Sequence, residues 1–397
     1  MLLACASLVA GEPVTSSEKP AAWEIALAEF DKAGALVAQG KFDAADALLK
    51  ECEAKLPSAY SRLAATHREI LAKALSHSEG EAPYNRFGLL GQLCGALHAH
   101  AEAAELLIKA TQGSDPKNYR RTLAFHLGQS GQTDKALAEY DAAIGSAAQD
   151  PVNGTRLKNS LRLYKERSSR SHEFAFMLPY IQGQFLSAGD DADWLGALRE
   201  FKRLMPMAGT AAERAQGWNS VLMCLERLGD SDELSALGDR LLVELKADVN
   251  FCAAILAQRA KRAQESGKLD EALVHLRRIL NEFSGSRMET TFRTSLISIL
   301  RQQQKYEEAI GELRKLVEAE SAQKNPAALL AQAHRKGHAL LAISECYESM
   351  NDMARAFESA LAANEFREGQ GCSSCDRYSL AEKIRARIER LQNVPRH

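Results

Sequence analysis

One recurring spacing constrains this chain more than any bulk property. Gly40, Phe42, Ala45, Leu49, Cys52 and Pro57 set it out: a small or turn-forming residue, an apolar residue two places on, Ala at the fifth place, and apolar residues at the ninth and twelfth. Gly267, Leu269, Ala272, Leu276 and Ile279 repeat it. So do Gln304, Tyr306, Ala309, Leu313 and Leu316, and then Asn351, Met353, Ala356, Ala360 and Ala363. Apolar residues at these intervals share one side of an α-helix. Each block therefore reads as the turn and second helix of a helix–turn–helix unit. The fifth-place Ala lets two helices approach closely, and the later apolar residues pack on the next unit. Units of this kind bury their apolar faces by stacking, so 397 residues do not require two or three separate cores.

The composition agrees. The chain is 46% hydrophobic and 26% charged, as a soluble globular protein is. Aromatics are only 6%, which favours helices packed through small residues. No run of alternating β-branched residues is long enough for a sheet. A net charge of -2 supplies no global pull toward nucleic acid or an anionic membrane.

The chain divides by texture into five segments. Residues 1–21 read as a truncated signal or linker, and 22–150 as N-terminal repeats. In the latter, helices over 22–39 and 42–55 turn at Gln39-Gly40, another helix runs from Tyr60 to Leu75, and two further units carry Ala103 and Ala136 at matching places. Residues 151–211 read as an irregular connector. It holds a basic helix from Arg156 to Arg167 and one distorted hairpin, 174–188 with 191–204, in which Trp194 occupies the place of the small fifth residue. Residues 212–365 are C-terminal repeats. Residues 366–397 hold a Cys-x-x-Cys loop and a capping helix. That helix shows Leu380, Ile384, Ile388 and Leu391 on one face and Lys383, Arg385, Arg387 and Arg390 on the other.

The blocks resemble the tetratricopeptide repeat (TPR), over most of residues 22–365. The family's first-helix glycine appears only at Gly91. The resemblance implies an all-α fold, a right-handed α-solenoid of TPR-like helical hairpins with a C-terminal capping helix. It also implies a role: a scaffold whose first helices line a groove for a protein or peptide. Some members hold a C-terminal carboxylate with Lys, Asn and Arg. The matching positions here are Gly88, Gln92, Asn118 and Thr122, so that pattern is absent. In the C-terminal block the matching groove positions are Asn219, Met223, Arg227, Lys261, Gln264, Ser298, Arg301, Glu345 and Glu348. They form a polar strip, cationic at Arg227, Lys261 and Arg301 and acidic at its far end. An extended partner segment with opposite charges at its two ends suits it.

Catalytic signatures are missing from the sequence: there is no phosphate-cradling glycine loop, no HExxH and no GxSxG. No cofactor, metal or nucleic acid is expected. Cys52, Cys94, Cys224 and Cys346 fall at apolar positions and read as buried small hydrophobes. Cys372 and Cys375 form the one local motif. They read as a small disulfide or two thiols, with a redox pair and half a zinc site as the functional alternatives. Asp376 replaces the His of a haem attachment motif, and no second Cys pair completes a zinc site; His334, His338 and His397 could contribute only if the fold brings them close. The stretch 156–170, with six cations and one acid, reads as a solvated face, and the rest of the chain shows no aromatic interleaving for base stacking. The opening MLLACASLVA is too short to span a bilayer. It resembles the end of a secretory signal that lacks its basic start, and Leu2-Leu3-Ala4-Cys5 fits the box that precedes a lipid anchor on Cys5; either requires a start codon upstream. The expected setting is a bacterial cell envelope. The alternatives are a cytosolic regulatory or enzyme-associated TPR domain, and a redox or metal protein using Cys372 and Cys375.

Overall fold

A computed structural model describes residues 20–77, 83–112, 117–145, 151–188, 192–318, 326–369 and 380–393. Among these residues there are helices and turns and no strand, so the all-α expectation stands. The helices are α1 (Ala22–Ala38), α2 (Phe42–Lys55), α3 (Ser58–Ser76), α4 (Pro83–Ala96), α5 (His100–Thr111), α6 (Lys117–Gln129), α7 (Thr133–Gly145), α8 (Pro151–Ser168), α9 (Met177–Leu186) and α10 (Trp194–Leu204). They continue with α11 (Ala211–Leu228), α12 (Ser231–Glu244), α13 (Val249–Glu265), α14 (Leu269–Glu282), α15 (Glu289–Gln302), α16 (Tyr306–Glu318), α17 (Pro326–Ser349), α18 (Met353–Gly369) and α19 (Leu380–Gln392). Successive helices pack on one another along the chain from α1 to α11 in the first compact unit and from α13 to α19 in the second.

Seven hairpin turns share one geometry, and it explains the recurring spacing. At Gly40, His98, Gly131, Gly229, Gly267, Gln304 and Asn351 the backbone is left-handed, with φ between 60° and 79°. The N–H of that residue bonds a carbonyl three places back, and the next N–H bonds one five places back. Examples are Gly40 N to Val37 O (3.0 Å) with Lys41 N to Leu36 O (2.9 Å), and Gln304 N to Arg301 O (3.0 Å) with Lys305 N to Leu300 O (2.8 Å). These bonds satisfy carbonyls that the ending helix leaves open, and the left-handed residue reverses the chain. The second helix starts two residues on. Its fourth residue is then the fifth of the spacing, and Ala45, Ala103, Ala136, Ala272, Ala309 and Ala356 are each fully buried there.

The hairpin of α9 and α10 is more regular than expected. Trp194 is the first residue of α10 and does not occupy the close-contact place. That place belongs to Ala197, fully buried, and Phe201 packs so tightly on Gly183 of α9 that a Cβ there would lie 2.6 Å from its ring. The connection between the two helices is longer than in the other hairpins, so counting forward at a fixed interval landed on the wrong residue.

The chain separates into two compact units, Met1–Leu237 and Gly238–His397, and the division falls inside α12. The expected 151–211 segment lies wholly within the first unit. There, α10 and the end of α11 return to the opening helices. Lys202 of α10 stands 5.7 Å from the ring centre of Trp23 in α1, and the Tyr60 hydroxyl of α3 donates to Asp230 Oδ2 at 2.7 Å, just beyond α11.

In the second unit, α13/α14, α15/α16 and α17/α18 are three hairpins closed by α19. Leu380 and Ile384 of α19 pack on Leu341 of α17 and Ala363 of α18, as a cap requires. Arg387 corrects the expected polar face. Its side chain is buried; Nε donates to Ser344 Oγ at 2.7 Å, and the guanidinium pairs with Glu348 at 2.7 Å. Arg390 pairs with the same Glu348 oxygen at 2.5 Å. The long apolar stem of Arg lets it cross the packed face and still reach these partners. No helix among the described residues is long and apolar enough to cross a membrane.

Candidate functional site

The second unit carries an open groove between the first helices of consecutive hairpins. Thr290, Thr294 and Ser298 follow one another at four-residue intervals along α15, so they form a single polar stripe. Beside them, Ile297, Leu313, Leu316, Ala339 and Ala342 give an apolar floor, and Arg301, Arg335 and His338 stand at the walls. The cavity they enclose is about 540 Å³, within the range that holds a peptide side chain or a small ligand.

Ser298 and Arg301, two of the groove positions expected from sequence, line this cavity directly. Arg301 does not stand alone: it donates to Glu345 at 2.7 Å, joining α15 to α17. Glu348 is held by Arg387 and Arg390 of the cap. Lys261 and Gln264 are exposed on α13, and Lys261 pairs with Glu265 on its own helix at 3.7 Å. The acids of the expected strip are therefore taken by cations of α15 and α19. In the first unit, Asn219 is exposed and Met223 half-buried on α11, and Arg227 lies over the Trp194 ring at 5.6 Å.

A second cluster, which the sequence reading passed over, lies inside the first unit. His98 holds the left-handed place in the α4–α5 turn, where four of the other six turns have Gly. Its Nδ1 is 2.7 Å from Asp31 Oδ1 of α1, and its Nε2 is 3.1 Å from Asp193 Oδ1 at the start of α10. Asp193 Oδ1 also caps α10 by accepting from the Gly196 N–H at 2.7 Å. His100 and His126 stack, with their Nδ1 atoms 3.1 Å apart, one donating and one accepting. His67 meets Phe30 edge-on. His67, His98, His126 and Asp193 of this cluster line a cavity of about 400 Å³, together with Gln92, Thr122, Trp194 and Leu228.

Burial and charge set the protonation of this cluster. Burial opposes a charge on His98, but the Asp193 and Asp31 carboxylates outweigh it and raise the pKa to about 9. Burial equally opposes ionisation of Asp193, and His98, His100 and the Gly196 N–H overcome it, holding the carboxyl well below its ordinary range. For His67, His100 and His126 burial outweighs the attraction of the Asp193 carboxylate: it lowers the first two to about 4 and His126 to about 3. At neutral pH the cluster is one imidazolium between two carboxylates, beside three neutral imidazoles. His98 has both ring nitrogens taken by carboxylates, so it has none left to act as a general base.

The other sequence features are bound into the scaffold. Cys52, Cys94, Cys224 and Cys346 are buried, as is Cys252, and burial pushes the thiols of Cys94 and Cys224 up to about 12. Four cations of the basic stretch are engaged locally: Lys158 and Lys165 of α8 pair with Asp141 and Asp134 of α7, and Arg167 and, just beyond α8, Arg170 lie over Phe174 at 4.8 and 5.2 Å. Gln92 and Thr122, two of the positions where a carboxylate clamp would sit, line the histidine cavity instead. A Cβ on Gly88 would lie 2.5 Å from Tyr119. The side chain of Asn118, and Cys5, Cys372, Cys375 and His397, lie outside the described residues.

No protein-family model matches the chain, and no curated protein matches it. Among solved structures it is similar to a tetratricopeptide repeat protein from Parabacteroides merdae, at 12% identity over 94% of this chain and 99% of that one, with a TM-score of 0.22. It is also similar to the TPR domain of P58(IPK), at 14% identity over 94% of this chain and 98% of that one, again with a TM-score of 0.22. Superpositions this loose assign neither a ligand nor a partner. The helical-hairpin architecture rests on the chain's own helices and on the seven turns that close them.

Proposed function

We propose that this chain is a non-catalytic scaffold that binds an extended segment of another protein, and that the anchoring point is the cavity between α15 and α17. The observation that carries this reading is the cavity's make-up: an apolar floor, a hydroxyl stripe, and Arg301 and Arg335 at its walls. An apolar side chain followed closely by an acidic one fits such a surface, with the backbone hydrogen-bonding along Thr290, Thr294 and Ser298. Stacked hairpins generate grooves of this kind without drawing on their cores, because only one side of each first helix is needed for packing. An envelope setting is supported by the sequence 1–10 alone. The redox alternative rests on Cys372 and Cys375, outside the described residues.

Peptides selected from a random display library against the full chain test this reading. They are expected to share an apolar residue next to an acid, and to bind more weakly as salt rises, since exposed charges are screened beyond about 8 Å at physiological ionic strength. Ser298 is exposed, so Ser298→Trp should fill the cavity mouth, leave helicity unchanged and weaken those peptides roughly tenfold or more, the loss of one well-seated apolar anchor. Peptides that bind the Ser298→Trp chain undiminished would place the partner surface elsewhere.

A further inference from the structure

We propose that the histidine-lined cavity of the N-terminal unit is a binding site for a small organic cation, a primary ammonium carried on an apolar body. This site is separate from the α15–α17 groove and does not depend on it.

The inference starts from two buried polar atoms. The Asp193 side chain is only 8% exposed, yet its Oδ2 has no hydrogen-bond partner among the described residues. His67 is 6% exposed, and its Nδ1 likewise has none. Both residues line the same cavity. A buried acceptor without a donor costs on the order of 1–3 kcal/mol, and more if it is charged. His100 Nε2, at 4.0 Å from Asp193 Oδ2, is too far to supply the bond.

The chemistry of the lining selects the ligand. Asp193 is ionised, and His98 and the Gly196 N–H use only its Oδ1. A donor at Oδ2 would make a charge-assisted hydrogen bond in a site shielded from water. An ammonium has three N–H bonds, enough to reach Oδ2 and a neutral imidazole together. The charged groups nearby are Asp31, Asp193 and His98. Arg199 turns to Glu200 at 3.5 Å, and Arg227 lies over Trp194. No group placed at Oδ2 competes with an incoming cation. An anion would meet the Asp193 carboxylate and neutral rings, while the one imidazolium, His98, has both ring nitrogens engaged by Asp31 and Asp193, so the site disfavours it. Most of the remaining wall is apolar, with Phe30, Leu63, Ile70, Leu195 and Leu228, beside the polar Gln92 and Thr122. At about 400 Å³, the cavity holds a ligand of modest size.

The test uses the full chain at neutral pH and three matched probes: phenethylammonium, 2-phenylethanol and phenylacetate. Calorimetry should show phenethylammonium binding about tenfold more tightly than the alcohol, the worth of one charge-assisted bond, and phenylacetate not binding. Asp193→Asn keeps an oxygen to cap α10 and removes the charge; it should erase the preference for the ammonium. His67→Phe keeps the ring and its contact with Phe30, so it should fold as the parent does and bind phenethylammonium several-fold more weakly. That variant decides the matter if Asp193→Asn does not fold. Equal binding of ammonium and alcohol, undiminished binding by His67→Phe, or binding by none of the three probes would overturn the proposal, the last meaning that water alone fills the cavity.

Discussion

At the scale of single residues, the turns show where the chain tolerates strain and where it uses it. Gln304 and His98 are both L-residues held left-handed, a conformation costing about 1–2 kcal/mol outside Gly. Gln304 gains nothing from its side chain that requires this, so Gln304→Gly should raise stability by about 1 kcal/mol in urea unfolding. His98→Gly removes the same strain but also the imidazolium between Asp31 and Asp193. It leaves a buried carboxylate unpaired, and it should lower stability by about 3 kcal/mol. If both variants stabilise the chain, His98 is ornamental in the cluster.

The same cluster makes stability depend on pH with a definite sign. An unfolded imidazole titrates at about 6.5. His67 and His100 titrate at about 4 in the folded chain, and His126 at about 3. Between those limits the unfolded state binds protons that the native cluster refuses, so stability falls as pH falls, by up to about 1.4 kcal/mol per pH unit for each ring. His98 runs the other way: with its pKa raised to about 9, its contribution is complete below about pH 6.5 and is lost as pH rises through 9. The melting temperature should therefore peak at about pH 7, decline on the alkaline side as His98 loses its contribution, and drop steeply toward pH 5, and His67→Phe should flatten that acid limb by roughly a third. A melting temperature level from about pH 7 to 5 would contradict a cluster of neutral buried rings.

At the scale of helices, the account rests on close contact between the two members of each hairpin. Ala309 is fully buried at that contact. Ala309→Leu should cost about 1–3 kcal/mol through overpacking, and hydrogen exchange should quicken in α15 and α17 as well as α16, because hairpins stabilise one another. An unchanged melting curve would mean that the helices do not meet where Ala309 places them. Helices and hairpin turns were legible in the sequence because their signals are local: the second helix expected over 42–55 is α2, residue for residue. What was not legible depends on distance. A helical period cannot reveal that Ser344 and Glu348 wait for Arg387, since these lie on another helix. The histidine cavity draws on Asp31, His67, His98, His100, His126 and Asp193, scattered over more than half of the first unit's described length. Its single local trace was a His in a turn position where the left-handed backbone favours Gly. The groove cavity was half legible, because Ser298 and Arg301 lie on the expected first-helix face, whereas Arg335 and His338 belong to a hairpin whose long spacing hid its phase.

At the scale of the whole molecule, the two units put their polar groups to different uses. The first turns its chemistry inward: α10 returns to α1 and α4, and Asp193 and His98 meet in its interior. The second leaves a cavity open between α15 and α17. A partner segment should therefore be felt on the second unit and not on the first. Hydrogen exchange of the full chain, with and without a display-selected peptide, measures this most directly. Slowed exchange confined to α15 and the part of α17 around Arg335–Ala342 is the predicted result, and slowed exchange in α1, α4 and α6 without change in α15 and α17 would contradict it.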